Sequence, residues 1–311
     1  MKDPRSRSAK PWLRITGTLI SLGLLVYLMG KQDWAELWRQ VRGISPWIWL
    51  GCFSLYFSGQ VFNALRWYIL LRAKQVKITF VESLKLILSG AFASNFLPST
   101  VGGDILRVIG SQPFTGSYTL SLASVVLDRV LNVCTFMTVL PFSFATFGMD
   151  GIRLNLQQQL SLSAGLGLTT IRQKIEKMIK KFKDALILWL NQPGTLGLAF
   201  IVSWLSVLVM FVANTILANH LGIPVKLYQV MGINAITYLL TLLPITFNGY
   251  GVREVLITTL YMSLGGTLEQ AASLAVITRF FMLIETLPGS LWVGRYISMV
   301  RDANRERISE S

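Results

Sequence analysis

Residues 97–107 read LPSTVGGDILR, and residues 243–253 read LPITFNGYGVR. Shifted by 146 positions, Leu97, Pro98, Thr100, Gly103 and Arg107 fall on Leu243, Pro244, Thr246, Gly249 and Arg253. Composition alone would give on the order of one identity over such a window. Both stretches are polar breaks inside apolar sequence. Pro98 and Pro244 remove a backbone donor and end the preceding helix. Gly102 and Gly103, like Gly249 and Gly251, allow the chain to turn through positive φ and let a ligand approach the backbone. A Gly/Pro interruption repeated in corresponding halves of a membrane chain points to broken helices around a site near the bilayer midplane.

The rest of the sequence fits a membrane protein. Of its 311 residues 52% are hydrophobic and 14% charged, with a mean hydropathy of +0.54. Soluble domains carry about a quarter charged residues. Apolar runs that could cross a bilayer, which takes about 20 residues and at the least about 17, fall at roughly 46–70, 117–147, 195–219 and 268–294, with a shorter one at roughly 15–30. Broken apolar regions occupy 80–112 and 227–264. The expected fold is all-α: a polytopic helical membrane protein with about six spans and two re-entrant half-helix hairpins, related by an inverted internal repeat. A single integral membrane domain covers 1–311, with one repeat half at about 46–148 and the other at about 195–298.

The net charge of +14 follows the membrane and not nucleic acid. Lys2, Arg5, Arg7, Lys10 and Arg14 precede the first run, and Arg301, Arg305 and Arg307 follow the last. This is the positive-inside pattern of a multi-pass plasma-membrane protein with both termini cytoplasmic. No basic, aromatic-interleaved soluble module is present, so no nucleic-acid partner is expected. The basic-then-apolar N-terminus lacks a small-residue cleavage site after Met29 and reads as an uncleaved span. Cys52 and Cys134 lie in apolar runs and His220 is the only histidine, so neither a metal nor another cofactor is expected.

Between the runs, Trp34, Leu37, Trp38 and Val41 recur at helical spacing. They suit a short helix in the far headgroup layer or one packed on protein. Arg66, Arg72, Lys74 and Lys77 read as a cytoplasmic cluster. Residues 171–190 form an amphipathic basic helix that either touches anionic lipid or links the halves. The linker before the first motif is basic and the one before the second carries only Lys226, which places the two motifs on opposite faces. That arrangement needs a crossing at 150–170, a polar stretch. The alternative, a hairpin at 80–112 that crosses outright, loses the symmetry.

Charge inside apolar runs marks the candidate site. Asp104, Arg107, Asp128 and Arg129 lie in the first half; Arg253, Glu254, Arg279 and Glu285 lie in the second. Each costs a few kcal/mol at bilayer depth, so such groups pair or line a wet cavity. Asp128–Arg129 and Arg253–Glu254 are adjacent opposite charges, and such groups commonly form intrahelical or interhelical salt bridges that only lock the fold. If helices begin at Asp104 and Val252, their N-termini favour an anion, and Arg107 and Arg253 add forked contacts to a phosphate. Asn95 and Asn248 would supply neutral hydrogen bonds. Asp104 and Glu254 would pair those arginines or carry protons. No nucleophile–base or paired-carboxylate spacing calls for catalysis.

NFLPSTVGGDILR at 95–107, VVLDRVLN at 125–132 and LLPITFNGYGVRE at 242–254 resemble the lysylphosphatidylglycerol synthase transmembrane family, also called flippase-like membrane proteins. The resemblance covers nearly the whole chain. The family looks like the membrane half of a two-part protein whose soluble half transfers aminoacyl groups to phosphatidylglycerol. Without that half, the resemblance implies lipid translocation and not synthesis. It carries over Asn95, Pro98, Gly102, Gly103, Asp104, Arg107, Asp128, Arg129, Pro244, Gly249, Gly251, Arg253 and Glu254. The second motif departs from the family pattern, having Phe247 and Asn248 where Pro-Gly is usual.

The expectation is a transporter, not an enzyme, that moves a polar or anionic lipid between leaflets. Its partners would be membrane lipids with a phosphate-bearing headgroup. A membrane-embedded transferase and an accessory partner of a separate lipid-modifying enzyme are the competing readings. No GxxxxGK[ST] loop supplies ATP, so the energy comes from a gradient, a partner or mass action.

Overall fold

The computed structural model describes residues 34–96, 100–163, 188–242 and 251–309, which contain helices and no strand. Trp34–Gly43 forms α1, as its tryptophan spacing predicts, and Pro46–Ala73 forms α2, with proline in its first turn. The α2 helix stops at Lys74 and Gln75, whose φ of 58° cannot continue a right-handed helix. Each broken apolar region is two short helices: Phe80–Phe96 (α3) and Thr100–Thr115 (α4), then, in the second half, a further pair introduced below.

Tyr118–Ser163 (α5) is two helical pieces joined at Gly148, where φ 66° and ψ 175° interrupt the turn pattern. Its first piece, Tyr118–Gly148, and Pro193–His220 (α6) are long and apolar enough to cross a membrane. Leu227–Thr241 (α7) and Val252–Met262 (α8) form the second short pair. Leu268–Ile284 (α9) starts on a reciprocal cap, in which Thr267 Oγ1 accepts from Gln270 N at 3.3 Å and Gln270 Oε1 accepts from Thr267 N at 3.0 Å. A 3-10 turn at Leu287–Gly289 joins α9 to Ser290–Ser309 (α10), and Leu268–Met299 is also long and apolar enough to span. The basic helix expected at 171–190 falls outside the described residues except for its end. There Trp189 is buried and donates to Leu70 O at 3.0 Å.

Helix pairing defines two ends of the bundle. Antiparallel α2 and α6 meet through Tyr56–Asn214, Arg66–Ser203 and Ala73–Gln192. The Ala73 end also holds Phe80, against Tyr68, and Tyr296, which donates to Glu82. The His220 end holds Gly43, whose carbonyl lies 3.4 Å from the His220 ring, and Phe147 packs against the core cluster that contains Ile44 and Ile223. Hairpin α3–α4 begins and ends at the Ala73 end; hairpin α7–α8 begins and ends at the His220 end.

Packing explains why the first hairpin is tight. A Cβ at Gly103 would fall on Gly90 O and Ser94 Oγ, and one at Gly90 would meet Arg107 Cγ at 2.8 Å. Gly102 and Gly103 lie inside α4 and are absent from the positive-φ positions. Here the expectation of a left-handed turn is corrected: at Gly103 the missing side chain serves helix contact. The helix also starts at Thr100 and not at Asp104, which places Asp104 in its second turn. The arms are short for a crossing. At about 1.5 Å per residue, the 11 residues of α8 rise about 17 Å against a hydrocarbon core of about 30 Å.

Candidate functional site

Asp128 on α5 is the centre of the first cluster. It is buried, and its Oδ1 accepts from Arg66 Nε at 2.7 Å while Oδ2 accepts from Arg107 Nη2 at 2.8 Å. Arg66 Nη1 donates to Ser203 Oγ at 2.8 Å, and Thr135 Oγ1 reaches the same oxygen at 2.8 Å. The Arg107 guanidinium lies over the Trp67 ring, 4.5 Å from its centroid. Trp67 Nε1 in turn donates to Ser124 Oγ at 3.1 Å. Arg107 Nε is buried without a hydrogen-bond partner among the described residues, so the cluster depends on Asp128, whose removal would strand both arginines.

Arg129 pairs with Asp104 across α4 and α5, and Arg107 also lies 3.8 Å from Asp104. The adjacent charges Asp128 and Arg129 thus form interhelical salt bridges, one of the two forms expected, and each with a different partner. Successive residues on a helix point about 100° apart, and each turns to a different neighbour. Arg66, read from sequence as part of a cytoplasmic basic cluster, is 3% exposed and serves this buried network instead. The apolar residues on both sides of it were the signal that it stands at depth. Asn132 Nδ2 extends the cluster to Tyr238 of α7, donating to its hydroxyl at 3.0 Å. The second hairpin thereby leans on the first half.

The second motif is arranged differently. Gly251 has φ 83°, as expected for a turn that only glycine makes easily, and α8 begins at Val252 as expected. Gly251 N donates to Glu254 Oε2 at 2.8 Å, and Glu254 Oε1 accepts from Arg279 Nε at 2.7 Å. Of the adjacent charges Arg253 and Glu254, Glu254 forms an interhelical salt bridge to α9 and also accepts at the helix start. Arg253 Nη1 is buried and has no hydrogen-bond partner among the described residues. Arg279, Glu254, Tyr56 and Tyr261 are its electrostatic neighbours.

A polar seam runs from the first hairpin to the end of α9 and on to α2. Asn95, near the end of α3, donates to Thr286 Oγ1 at 3.0 Å, and the neighbouring Glu285 accepts from Gln60 Nε2 at 2.9 Å. Tyr56, one turn before Gln60, stacks on Phe281 with centroids 5.3 Å apart and lies in the electrostatic range of both Arg253 and Glu285. Pro98, Pro244, Asn248 and Gly249 lie outside the described residues. Gln60, Tyr56 and Ser203 were not legible as site residues; polar side chains are common in spans, and only the fold shows where these point.

A family model described as Lysylphosphatidylglycerol synthase TM region matches residues 14–289. The chain belongs to that family. Two UPF0104 membrane proteins are similar to it. The one from Pyrococcus horikoshii is 22% identical over 281 residues, covering 77% of this chain and 84% of the relative. The one from Archaeoglobus fulgidus is 20% identical over 279 residues, covering 79% and 85%. The lysylphosphatidylglycerol synthase TM region match takes in both motifs and both arginine clusters, and with the spanning helices it makes this an integral membrane protein.

Proposed function

We propose that the protein moves a polar lipid with an anionic headgroup between leaflets. The hairpins α3–α4 and α7–α8 enter the membrane from opposite faces as the re-entrant elements of an inverted repeat, and the headgroup is held between them. One observation carries this reading: Arg253, half-buried at the start of α8, has a buried Nη1 without a hydrogen bond and meets no carboxylate among the described residues, whereas Arg107, with a buried unpartnered Nε of its own, is still held by Asp128. An unmatched guanidinium inside a membrane protein is costly unless an anion completes it. The α8 N-terminus adds backbone N–H groups and a partial positive charge on the same side.

The division of labour differs from a pair of equal clamps. Arg107 holds the hairpin to α5 through Asp128; Arg253 takes the ligand. Asp104 and Glu254 orient Arg129 and Arg279, and Asn95 fixes the first hairpin to Thr286. The family name, which refers to the membrane region of a lipid synthase, supports a lipid as ligand. Exchange of labelled phosphatidylglycerol, phosphatidylethanolamine and glycolipid between leaflets of proteoliposomes tests the proposal. Accelerated exchange of at least one is expected. Chemical conversion of the lipid by the purified protein, without exchange, would establish a transferase instead.

A further inference from the structure

Asp104 stands between two arginines. It pairs with Arg129 of α5 and lies 3.8 Å from Arg107 Nη1 on its own helix. The two partners differ in freedom. The Arg107 side chain is 9% exposed, bound to Asp128 and seated over the Trp67 ring, whereas the Arg129 side chain is 44% exposed. If Arg129 turns away, Asp104 keeps a cation beside it. Among the described ion pairs of this cluster, Arg129–Asp104 is therefore the one that can open without stranding a buried charge.

Arg129 also faces the second hairpin. Asn132 and Phe136 of α5 both meet Tyr238, the first by a hydrogen bond of 3.0 Å and the second by stacked rings with centroids 3.9 Å apart. Ser143 Oγ donates to Gly232 O at 2.8 Å, so α5 and α7 run antiparallel. Arg129, Asn132 and Phe136 follow one helical face at i, i+3 and i+7. One turn before Asn132, the register sets Arg129 level with Thr241 and Leu242, where α7 ends. Arg129 lies about 17 Å along the spanning piece that starts at Tyr118, at about 1.5 Å per residue, which is deep within it. A half-exposed guanidinium thus stands at depth between α4 of the first hairpin and the end of α7 of the second.

From this placement we infer that Arg129 is a second anion contact, which exchanges Asp104 for a phosphate oxygen of the headgroup. A phosphodiester and a carboxylate each carry one negative charge and each accept the planar fork of a guanidinium, so the exchange conserves charge at Arg129. Asp104 then remains beside Arg107. The inference rests on the transport reading for its ligand and adds a built-in competitor: Asp104 occupies the contact whenever no headgroup does.

Binding of short-chain phosphatidylglycerol to the full chain in neutral detergent, followed by titration calorimetry, tests this because the two partners should respond with opposite signs. Arg129→Ala should weaken binding by at least about tenfold, the worth of a hydrogen bond to a charged group. Asp104→Asn keeps the shape and removes the competing charge, so it should tighten binding by about two- to fivefold, the range of a part-exposed ion pair. No binding by wild type, unchanged binding in folded Arg129→Ala, or an Asp104→Asn protein that binds no tighter than wild type overturns the inference. The asparagine variant carries the test alone where Arg129→Ala does not fold. The same opposite responses with glycerol 3-phosphate would uphold the contact and extend it to a soluble phosphate ester. Phosphatidylglycerol bound with this pattern by a protein that does not speed leaflet exchange upholds the contact and removes the transport reading. Exchange by wild type, with binding unchanged in folded Arg129→Ala, removes the contact and leaves that reading standing.

Discussion

The two halves use the same motif arginine for opposite purposes. In the first, Arg107 is closed in: Asp128 binds it and Arg66 together, Trp67 lies under it, and Ser203 and Thr135 complete the far side. In the second, no carboxylate meets Arg253 among the described residues, and Glu254 is committed to Arg279 and the helix start. Among the described residues Arg107 is paired with a carboxylate and Arg253 is not, so similar motifs place an arginine alike without giving it the same counter-charge.

The largest effect should come from breaking the closed half. Asp128→Ala strands Arg66 and Arg107 in the interior, and losing one partner of a buried ion pair costs about 3–5 kcal/mol. Thermal unfolding in detergent should shift far down, or the protein should fail to purify as a folded species. A stability like that of wild type would mean that the first half is as open as the second.

The arginines themselves sharpen the contrast. Arg107→Ala should lower stability by about 1.5–3 kcal/mol, the worth of a hydrogen bond to a charged group. Arg253→Ala should leave the melting temperature unchanged or raise it, since it removes a cation whose Nη1 is without a hydrogen bond. Equal losses in the two variants would abolish the distinction. A smaller effect is expected at the hairpin contact. Gly103→Ala forces a methyl onto the α3 backbone at a cost of about 1–3 kcal/mol. Gly197→Ala, which meets nothing within 4 Å, should be neutral or slightly stabilising because alanine is the better helix former.

Much of the architecture was legible because hydropathy marks helices that must bury in lipid. The runs at 46–70, 117–147 and 195–219 correspond to α2, the first piece of α5, and α6, and the broken regions are pairs of short helices. Gly251 was legible as a turn because only glycine makes that φ easily. Gly103 was misread for the same reason: the residue that permits a left-handed turn also permits two helices to touch, and sequence does not distinguish the uses. The site was half legible. Charges in apolar runs named Asp104, Arg107, Asp128, Arg129, Arg253, Glu254 and Arg279, but the pairing of those charges depends on which helix faces which. Arg66 lies 62 residues before Asp128, and Gln60 lies 225 before Glu285. No spacing rule reaches that far.

Whether the open half is the anion seat is decided most directly by leaflet exchange of labelled phosphatidylglycerol in proteoliposomes carrying wild type, Arg253→Ala or Arg253→Lys, each first shown to be folded and inserted. Wild type should accelerate exchange, Arg253→Ala should fall to the rate of protein-free vesicles, and Arg253→Lys should recover only part of the rate, because lysine restores charge without the planar fork. Exchange at the wild-type rate in folded Arg253→Ala would contradict the account.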